Sequence, residues 1–318
     1  MSDAPIIIAD QPGSRDNEVR PFQIEGMNVR GRAVRLGTAV DQILSAHEYP
    51  DSINVQLGNI LSLTGLLGSM LKYDGIVTVQ FKGSGAIKML VADLEHSEGK
   101  PGKLRAYAQI DETILAQYGK MPSFGALMKK GYLAITIDQG DDMERYQGIV
   151  EIEGTTLQES AMAYFKQSEQ TPTEIRLTTS RDPVSGNWRS GGIMVQHLAR
   201  GEVGQERNLD DDQGDAWNRA SILMKTVKDD ELTDPTIDLD QLLLRLYHED
   251  GVRVFDPSQL EHGCRCSRER VVTVLASLSK DDIDHAFQDD KTISVNCEFC
   301  NKDYSFTEDD IRKELETK

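Results

Sequence analysis

The sequence predicts an α+β protein in three parts: an N-terminal domain of mixed sheet and helix, an acidic helical linker, and a small C-terminal α+β module. Three observations carry that expectation. Strand-like and helix-like stretches alternate irregularly up to about residue 199, without a regular βαβ rhythm. Charge then shifts: residues 202–250 hold fourteen acidic and five basic side chains, a net of −9, which is half the −18 of the whole 318-residue chain. All four cysteines lie in the final 55 residues. The length itself fits about two domains with a smaller third unit.

Residues 1–20 begin with a stretch rich in Asp, Pro, Gly and Ser and read as a flexible tail. Order is expected from about Phe22, where Phe22, Ile24, Met27, Val29, Ala33 and Val34 among polar neighbours indicate an early strand. Thr38 is the expected N-cap of a helix that Pro50 stops, and Asp51 the cap of the next. The second helix has Val55, Ile60, Leu63, Leu67 and Leu71 on its apolar side. Residues 76–93 read as a hairpin. Val77, Val79 and Phe81 alternate with polar residues, Gly83-Ser84-Gly85 turns the chain, and Ile87, Met89 and Val91 alternate on the return. Further strands are expected at 104–110, 132–138, 145–153, 173–179 and 192–198, with a helix over 155–168. In the acidic stretch, Ala216, Ile222, Leu223 and Val227 keep helical spacing, and 239–247 is a leucine-rich helix. Past Asp256-Pro257, the sequence predicts a helix over 267–278, a capping box at Ser279 opening a helix through Phe287, strands at 292–296 and 304–306, and a last helix capped by Thr307.

Composition narrows the function classes. A chain with 35 basic against 53 acidic residues lacks the cationic surface that neutralises nucleic-acid phosphates or docks on anionic lipid. No run approaches the roughly 18 apolar residues of a membrane helix. The N-terminus has no basic n-region and an early Asp, so a cytoplasmic location is expected. Motifs of nucleophile-elbow hydrolases, P-loop NTPases and zinc proteases are absent, and Gly83-x-Gly85 reads as a turn.

The chemistry concentrates in the cysteines. Four placed at random would fall in the last 55 residues about once in a thousand chains. Their pattern is Cys264-x-Cys266, thirty intervening residues, then Cys297-x-x-Cys300. Two close pairs joined by a folded insert are what a tetrahedral metal site needs, since each pair offers two thiolates from one turn. A four-thiolate set selects zinc or an iron–sulfur centre, and zinc is the commoner occupant. Arg265, Arg268 and Arg270 flank the first pair and would favour the oxidisable thiolate. Each pair also lies close enough in sequence to close on itself. A module of this size has little core, so metal binding worth roughly 10–16 kcal/mol would be most of its folding free energy. His262 and His285 are rival ligands for a set already complete.

Beyond these signals the sequence resembles the thirty-three-kilodalton heat-shock chaperone family (33 kDa chaperonin). The resemblance rests on Phe255-Asp256-Pro257, Cys264-Arg265-Cys266-Ser267-Arg268-Glu269-Arg270, and Cys297-x-x-Cys300 followed by Tyr304-x-Phe306, preceded by Arg245-Leu246-Tyr247-His248-Glu249. Upstream, Tyr73-Asp74-Gly75, Gly131-Tyr132, Glu144 to Gly148, Tyr164-Phe165 with Ser168-Glu169-Gln170, and Gly191-Gly192 extend it over nearly the whole chain from about residue 22. Asn301 stands where relatives often have glycine, and Val271 where some carry a further cysteine.

The resemblance implies a redox-regulated, ATP-independent holdase of the oxidative-stress response, not an enzyme. In the reduced state Cys264, Cys266, Cys297 and Cys300 would bind one Zn²⁺ per chain. Oxidation would pair Cys264 with Cys266 and Cys297 with Cys300, release the zinc, unfold the module and linker, and uncover a surface for unfolding client proteins. The oxidised form would be a homodimer. The parts then become a tail (1–20), a client-binding and dimerisation domain (21–199), an acidic linker (200–254) and a redox-switch domain (255–318). Two alternatives remain open: a constitutive zinc-stapled interaction protein, and a thiol oxidoreductase using Cys297 and Cys300.

Overall fold

The computed structural model describes residues 16–140, 143–198, 212–278 and 292–311. The chain divides into two compact units, Met1–His262 and Gly263–Lys318.

The first unit opens with β1 (Glu18–Ile24) and β2 (Val29–Leu36), an antiparallel pair in register from Glu18 opposite Arg35 to Ile24 opposite Val29. The single early strand expected from the sequence is thus two. A 3₁₀ turn at Glu25–Met27 and a left-handed Asn28, at φ 50°, reverse the chain between them. Ordered backbone also starts earlier than Phe22. Asn17 accepts from the amides of Gly37 and Ala39 at 2.9 and 3.0 Å, which caps α1 (Thr38–Leu44) from 21 residues away. Thr38, the expected cap, only receives a hydrogen bond from the Asn17 amide. Likewise α2 (Asp51–Gly68) is entered through Pro50, with Asp51 in its first turn and no side-chain cap.

Next come β3 (Gly75–Gly83), β4 (Ile87–His96) and β5 (Gly102–Ile110), where the expected hairpin forms with its alternation intact. Two short helices, α3 (Glu112–Leu115) and α4 (Phe124–Met128), lead to β6 (Gly131–Asp138) and β7 (Tyr146–Glu151). A capping box between Thr156 and Glu159 starts α5 (Leu157–Tyr164), which loosens into a π-helical turn at Phe165–Glu169. That turn brings Glu169 to the Tyr146 hydroxyl at 2.7 Å. The hairpin β8 (Thr173–Arg181) and β9 (Trp188–His197) follows. After it the chain forms α6 (Asp212–Lys225), α7 (Asp229–Thr233), α8 (Leu239–Tyr247), β10 (Val252–Val254) and β11 (Ser258–His262).

Among the described residues these strands make one eleven-stranded sheet in the order β7-β6-β3-β4-β5-β11-β1-β2-β9-β8, with β10 also beside β1. β11 belongs to it, so the compact first unit runs eight residues past the boundary read at 254/255. The reason is long-range: a five-residue strand with one buried apolar side chain, Leu260, gives no local signal, and only its pairing with β1 and β5 fixes it.

Strand alternation builds two cores. One gathers around α2, a helix buried on nearly every side, and takes Val34 and Leu36 of β2 and Met194 of β9. The second lies on the opposite sheet face, where Phe22, Ile24, Val29, Ala33, Ile193 and Val195 meet Met224, Leu232, Leu242, Leu243 and Tyr247 of the acidic helices. Phe22 stacks on Tyr247 with ring centroids 5.8 Å apart. The acidic segment is therefore amphipathic: its carboxylates face water and its apolar side covers the sheet.

Arginines of the sheet hold those helices by their ends. Arg35 is fully buried, and its guanidinium donates to the carbonyls of Leu232 and Glu231, each at 2.9 Å, and to that of Ile237. Arg189 donates to the carbonyl of Thr233 at 2.6 Å and pairs with Asp16 at 2.5 Å. Arg176 pairs with Asp229 at 2.9 Å. Cations thus meet the negative C-terminal end of α7 and an acid sits in its first turn, both favourable to the helix dipole.

The second unit contains α9 (Arg268–Leu275) and an antiparallel hairpin of β12 (Thr292–Asn296) and β13 (Asp303–Thr307). The sequence placed these closely, and Ser267 caps α9 by accepting from the Arg270 amide. At the far end Thr307 and Asp310 cap each other reciprocally, as expected for the last helix. The helix expected from Ser279 to Phe287 lies outside the described residues.

Candidate metal centre

The thiols are delivered by two turns. Cys264 and Cys266 come just before the Ser267 cap of α9. Cys297 and Cys300 occupy the turn between β12 and β13, closed by hydrogen bonds from the Cys297 amide to the Lys302 carbonyl (3.0 Å) and from the Asn301 amide to the Cys297 carbonyl (2.8 Å). This turn needs a left-handed residue, and Asn301 supplies it at φ 56°, a conformation asparagine adopts more readily than most non-glycine residues.

Beneath the turns lies a core of Val272, Leu275, Tyr304, Phe306 and Ile311, with Cys266 and Cys297 packed against it. Arg268 braces it from outside: its guanidinium lies 4.4 Å over the Phe306 ring, donates to the Ser305 carbonyl at 2.8 Å and pairs with Asp310 at 2.9 Å. Arg270 donates to the Arg265 carbonyl. Arg268 and Arg270, expected to favour the thiolate form of the first pair, hold backbone and core.

All four sulfurs lie within 4.8 Å of one another. Cys264 and Cys297 approach to 3.7 Å and Cys266 and Cys300 to 3.4 Å. A disulfide is about 2.05 Å, so the cysteines are free. A tetrahedron of sulfurs about 2.3 Å from a central ion has edges of roughly 3.8 Å, close to both separations. The four residues are half-buried, and together they could hold one metal ion.

Burial pushes the Cys264 and Cys300 thiols up, and for Cys300 the hydrogen bond with Cys266 adds to it. Burial opposes ionisation of Cys266 too. There the Tyr304 hydroxyl, donating at 3.2 Å, and the neighbouring thiols prevail and bring it down to about 7. Tyr304 escaped the sequence reading as a functional residue, although its place in the Tyr304-x-Phe306 strand beside the second pair was the available signal. Of the rival ligands, His262 belongs to β11 of the first unit, and His285 lies outside the described residues.

Fold and site together define an α+β protein of two units, the smaller organised around four free thiols. The profile of the Hsp33 proteins matches residues 17–307. The 33 kDa chaperonin of Caulobacter vibrioides is 40% identical over 302 residues, 93% of this chain and 97% of its own. That of Photobacterium profundum is 36% identical over 303 residues, 94% of each chain. The crystal structure of the 33 kDa chaperonin from Thermotoga maritima superposes with a TM-score of 0.75 over 95% of this chain and 98% of its own, at 21% identity, a likeness of fold. The chain belongs to the Hsp33 family, heat-shock chaperones.

Proposed function

We propose that this chaperone is an ATP-independent holdase of the cytoplasm, switched by the oxidation state of Cys264, Cys266, Cys297 and Cys300. The single observation that carries the reading is the gathering of four free thiols around one point in a unit with a core of five buried residues. In the reduced state the four would hold one Zn²⁺, which supplies most of the folding free energy of so small a unit. No turnover is assigned to the cysteines.

Oxidation would join Cys264 to Cys266 and Cys297 to Cys300. Each disulfide forms as two thiols lose two electrons and two protons to hydrogen peroxide, whose O–O bond breaks to give two waters, and the two disulfides together remove all four metal donors. Separations within 4.8 Å leave only side-chain rotation and local backbone adjustment for each closure. With its donors gone, the small unit would unfold.

The surface for clients is supplied by the first unit. Beneath α6, α7 and α8 lie Phe22, Ile24, Val29, Ala33, Ile193 and Val195, an apolar face that release of the acidic helices would open to unfolding proteins and to a second oxidised copy. These helices carry many carboxylates, and their release is helped by self-repulsion. The net charge of −18 speaks against nucleic acid and anionic membranes as partners, and among the described residues no helix is long and apolar enough to cross a membrane.

The test is light scattering from a chemically unfolded client diluted into buffer with the zinc-loaded reduced chain or the peroxide-oxidised chain. Suppression by the oxidised chain alone is the expected result. Equal suppression by both would make the zinc unit a permanent staple, and suppression by neither would overturn the holdase.

A further inference from the structure

We propose that the slot between β1 and β5, filled here by β11, is a docking site that takes up one extended apolar segment of an unfolded client as a replacement strand. The proposal rests on the switch described above and assigns a place where its client is gripped.

β11 is held over a short span. Its register with β1 covers two residues, Ser258 opposite Val19 and Gln259 opposite Glu18, and the Leu260 amide donates once more to the Asn17 carbonyl at 2.6 Å. With β5 it pairs through three, Leu260 to His262 opposite Gly102 to Leu104, in the one parallel pairing among the described strands. Parallel ladders are slightly weaker per residue than antiparallel ones. Both its flanks are segments that the switch releases: upstream are the acidic helices and β10, and downstream Gly263 alone separates His262 from Cys264. When β11 leaves, β1 and β5 present two unpaired backbone edges facing one gap.

The gap has a chemistry. Its walls are main-chain donors and acceptors, which bind any extended sequence. Its side-chain-specific feature is a socket for Leu260, which is 5% exposed. Gly65 and Gly102 floor that socket: a methyl group built on either would stand 3.2 or 3.0 Å from the leucine's terminal carbons. Beside it an open hollow of about 340 Å³ lies between Gly68, Leu94 and Gly102 on one side and Ser258, Gln259 and Leu260 of β11 itself on the other, so departure of β11 widens the space next to the socket. Backbone ladders with one tolerant apolar socket match an unfolded client, whose segments share extended backbone and scattered large apolar residues but no common sequence.

The experiment is hydrogen exchange on the full chain, reduced and peroxide-oxidised, with and without carboxymethylated α-lactalbumin as a permanently unfolded probe. Aggregation suppression is measured on the same preparations. Oxidation is expected to release residues 258–262 and to expose the amides of 17–19 and 102–104. Adding the probe is expected to restore protection at 17–19 and 102–104 by about tenfold or more, while 258–262 stay exchanged. The proposal is overturned if 258–262 remain as slow in the oxidised chain as in the reduced one. It is also overturned if the slot edges stay open with the probe present, or close without it through a second copy. Aggregation suppressed while β11 stays protected would refute the slot and leave the switch standing; an oxidised chain that suppresses nothing removes both. A second arm uses Leu260→Ala in the reduced chain. Emptying the socket is expected to speed exchange at 258–262 by roughly thirtyfold with β3 and β4 unchanged, and unchanged exchange at 258–262 would show that the socket does not hold the strand.

Discussion

Arg35 is the sharpest place to test how the acidic helices are held. Arg35→Met keeps the aliphatic stem and removes every donor. Three carbonyls, those of Glu231 and Leu232 in α7 and of Ile237 in the loop after it, then lose their partner in a place from which water is largely excluded. Each orphaned acceptor costs about 1–3 kcal/mol. Against that sum stands the relief of no longer burying a guanidinium, a penalty of several kcal/mol, and burial does pull the Arg35 pKa below the usual arginine value. The balance is about 3 kcal/mol in favour of opening, which is roughly a hundredfold in the opening equilibrium. A five-residue helix has no stability of its own with which to resist. Hydrogen exchange of the reduced, zinc-loaded chain is the assay: residues 229–237 are expected to exchange roughly a hundredfold faster while β4 and β5 hold their rates. Arg35→Lys, with the charge but no planar fork, is expected to fall between. Exchange at 229–237 within about threefold of the parent would refute the reasoning, because it would mean the apolar contacts alone fasten α7.

Other outcomes follow from the same geometry. Cys297→Ser removes one of four proposed donors, and the variant is expected to purify without stoichiometric zinc and to lose protection across β12 and β13, read by metal analysis and exchange. Tyr304→Phe deletes the hydroxyl that supports Cys266, and competition with a chromophoric chelator should show zinc held about tenfold less tightly. His197 is held below its ordinary pKa by burial, and its Nε2 has no hydrogen-bond partner among the described residues. The folded chain therefore binds fewer protons there than the unfolded chain. Its stabilising effect is present above the unfolded value of about 6.5 and is lost as pH falls toward the depressed folded value. Thermal midpoints taken between pH 7.5 and 5.5 should fall more for the parent than for His197→Gln.

What could be read in advance was whatever is written locally. The β3–β4 hairpin announces itself by period-two alternation around Gly83-Ser84-Gly85, and the thiol pairs by their spacing. The acidic helices show their leucines at helical intervals. What escaped depends on partners distant in sequence. Nothing near Thr38 reveals that Asn17 will cap its helix, and nothing in Ser258–His262 reveals a strand until β1 and β5 are present to pair with it. Arg35 reads as one more polar residue of a half-exposed strand, and only the arrival of α7 turns it into a buried donor to three carbonyls. The site followed the same division: the spacing of the four cysteines was legible, whereas the Tyr304-x-Phe306 strand showed that Tyr304 lies near the second pair but not that its hydroxyl reaches Cys266 of the first.

The place of β11 in the chain also sets an order of assembly during synthesis. β1 and β2 leave the ribosome first and can pair at once, but the other edge of β1 waits for strands more than two hundred residues downstream. At about 5–20 residues per second, that edge stays open for roughly ten to forty seconds. The nascent first unit therefore passes through a stage in which its sheet lacks the strand that joins its halves, and it becomes a closed body only when its last dozen residues emerge.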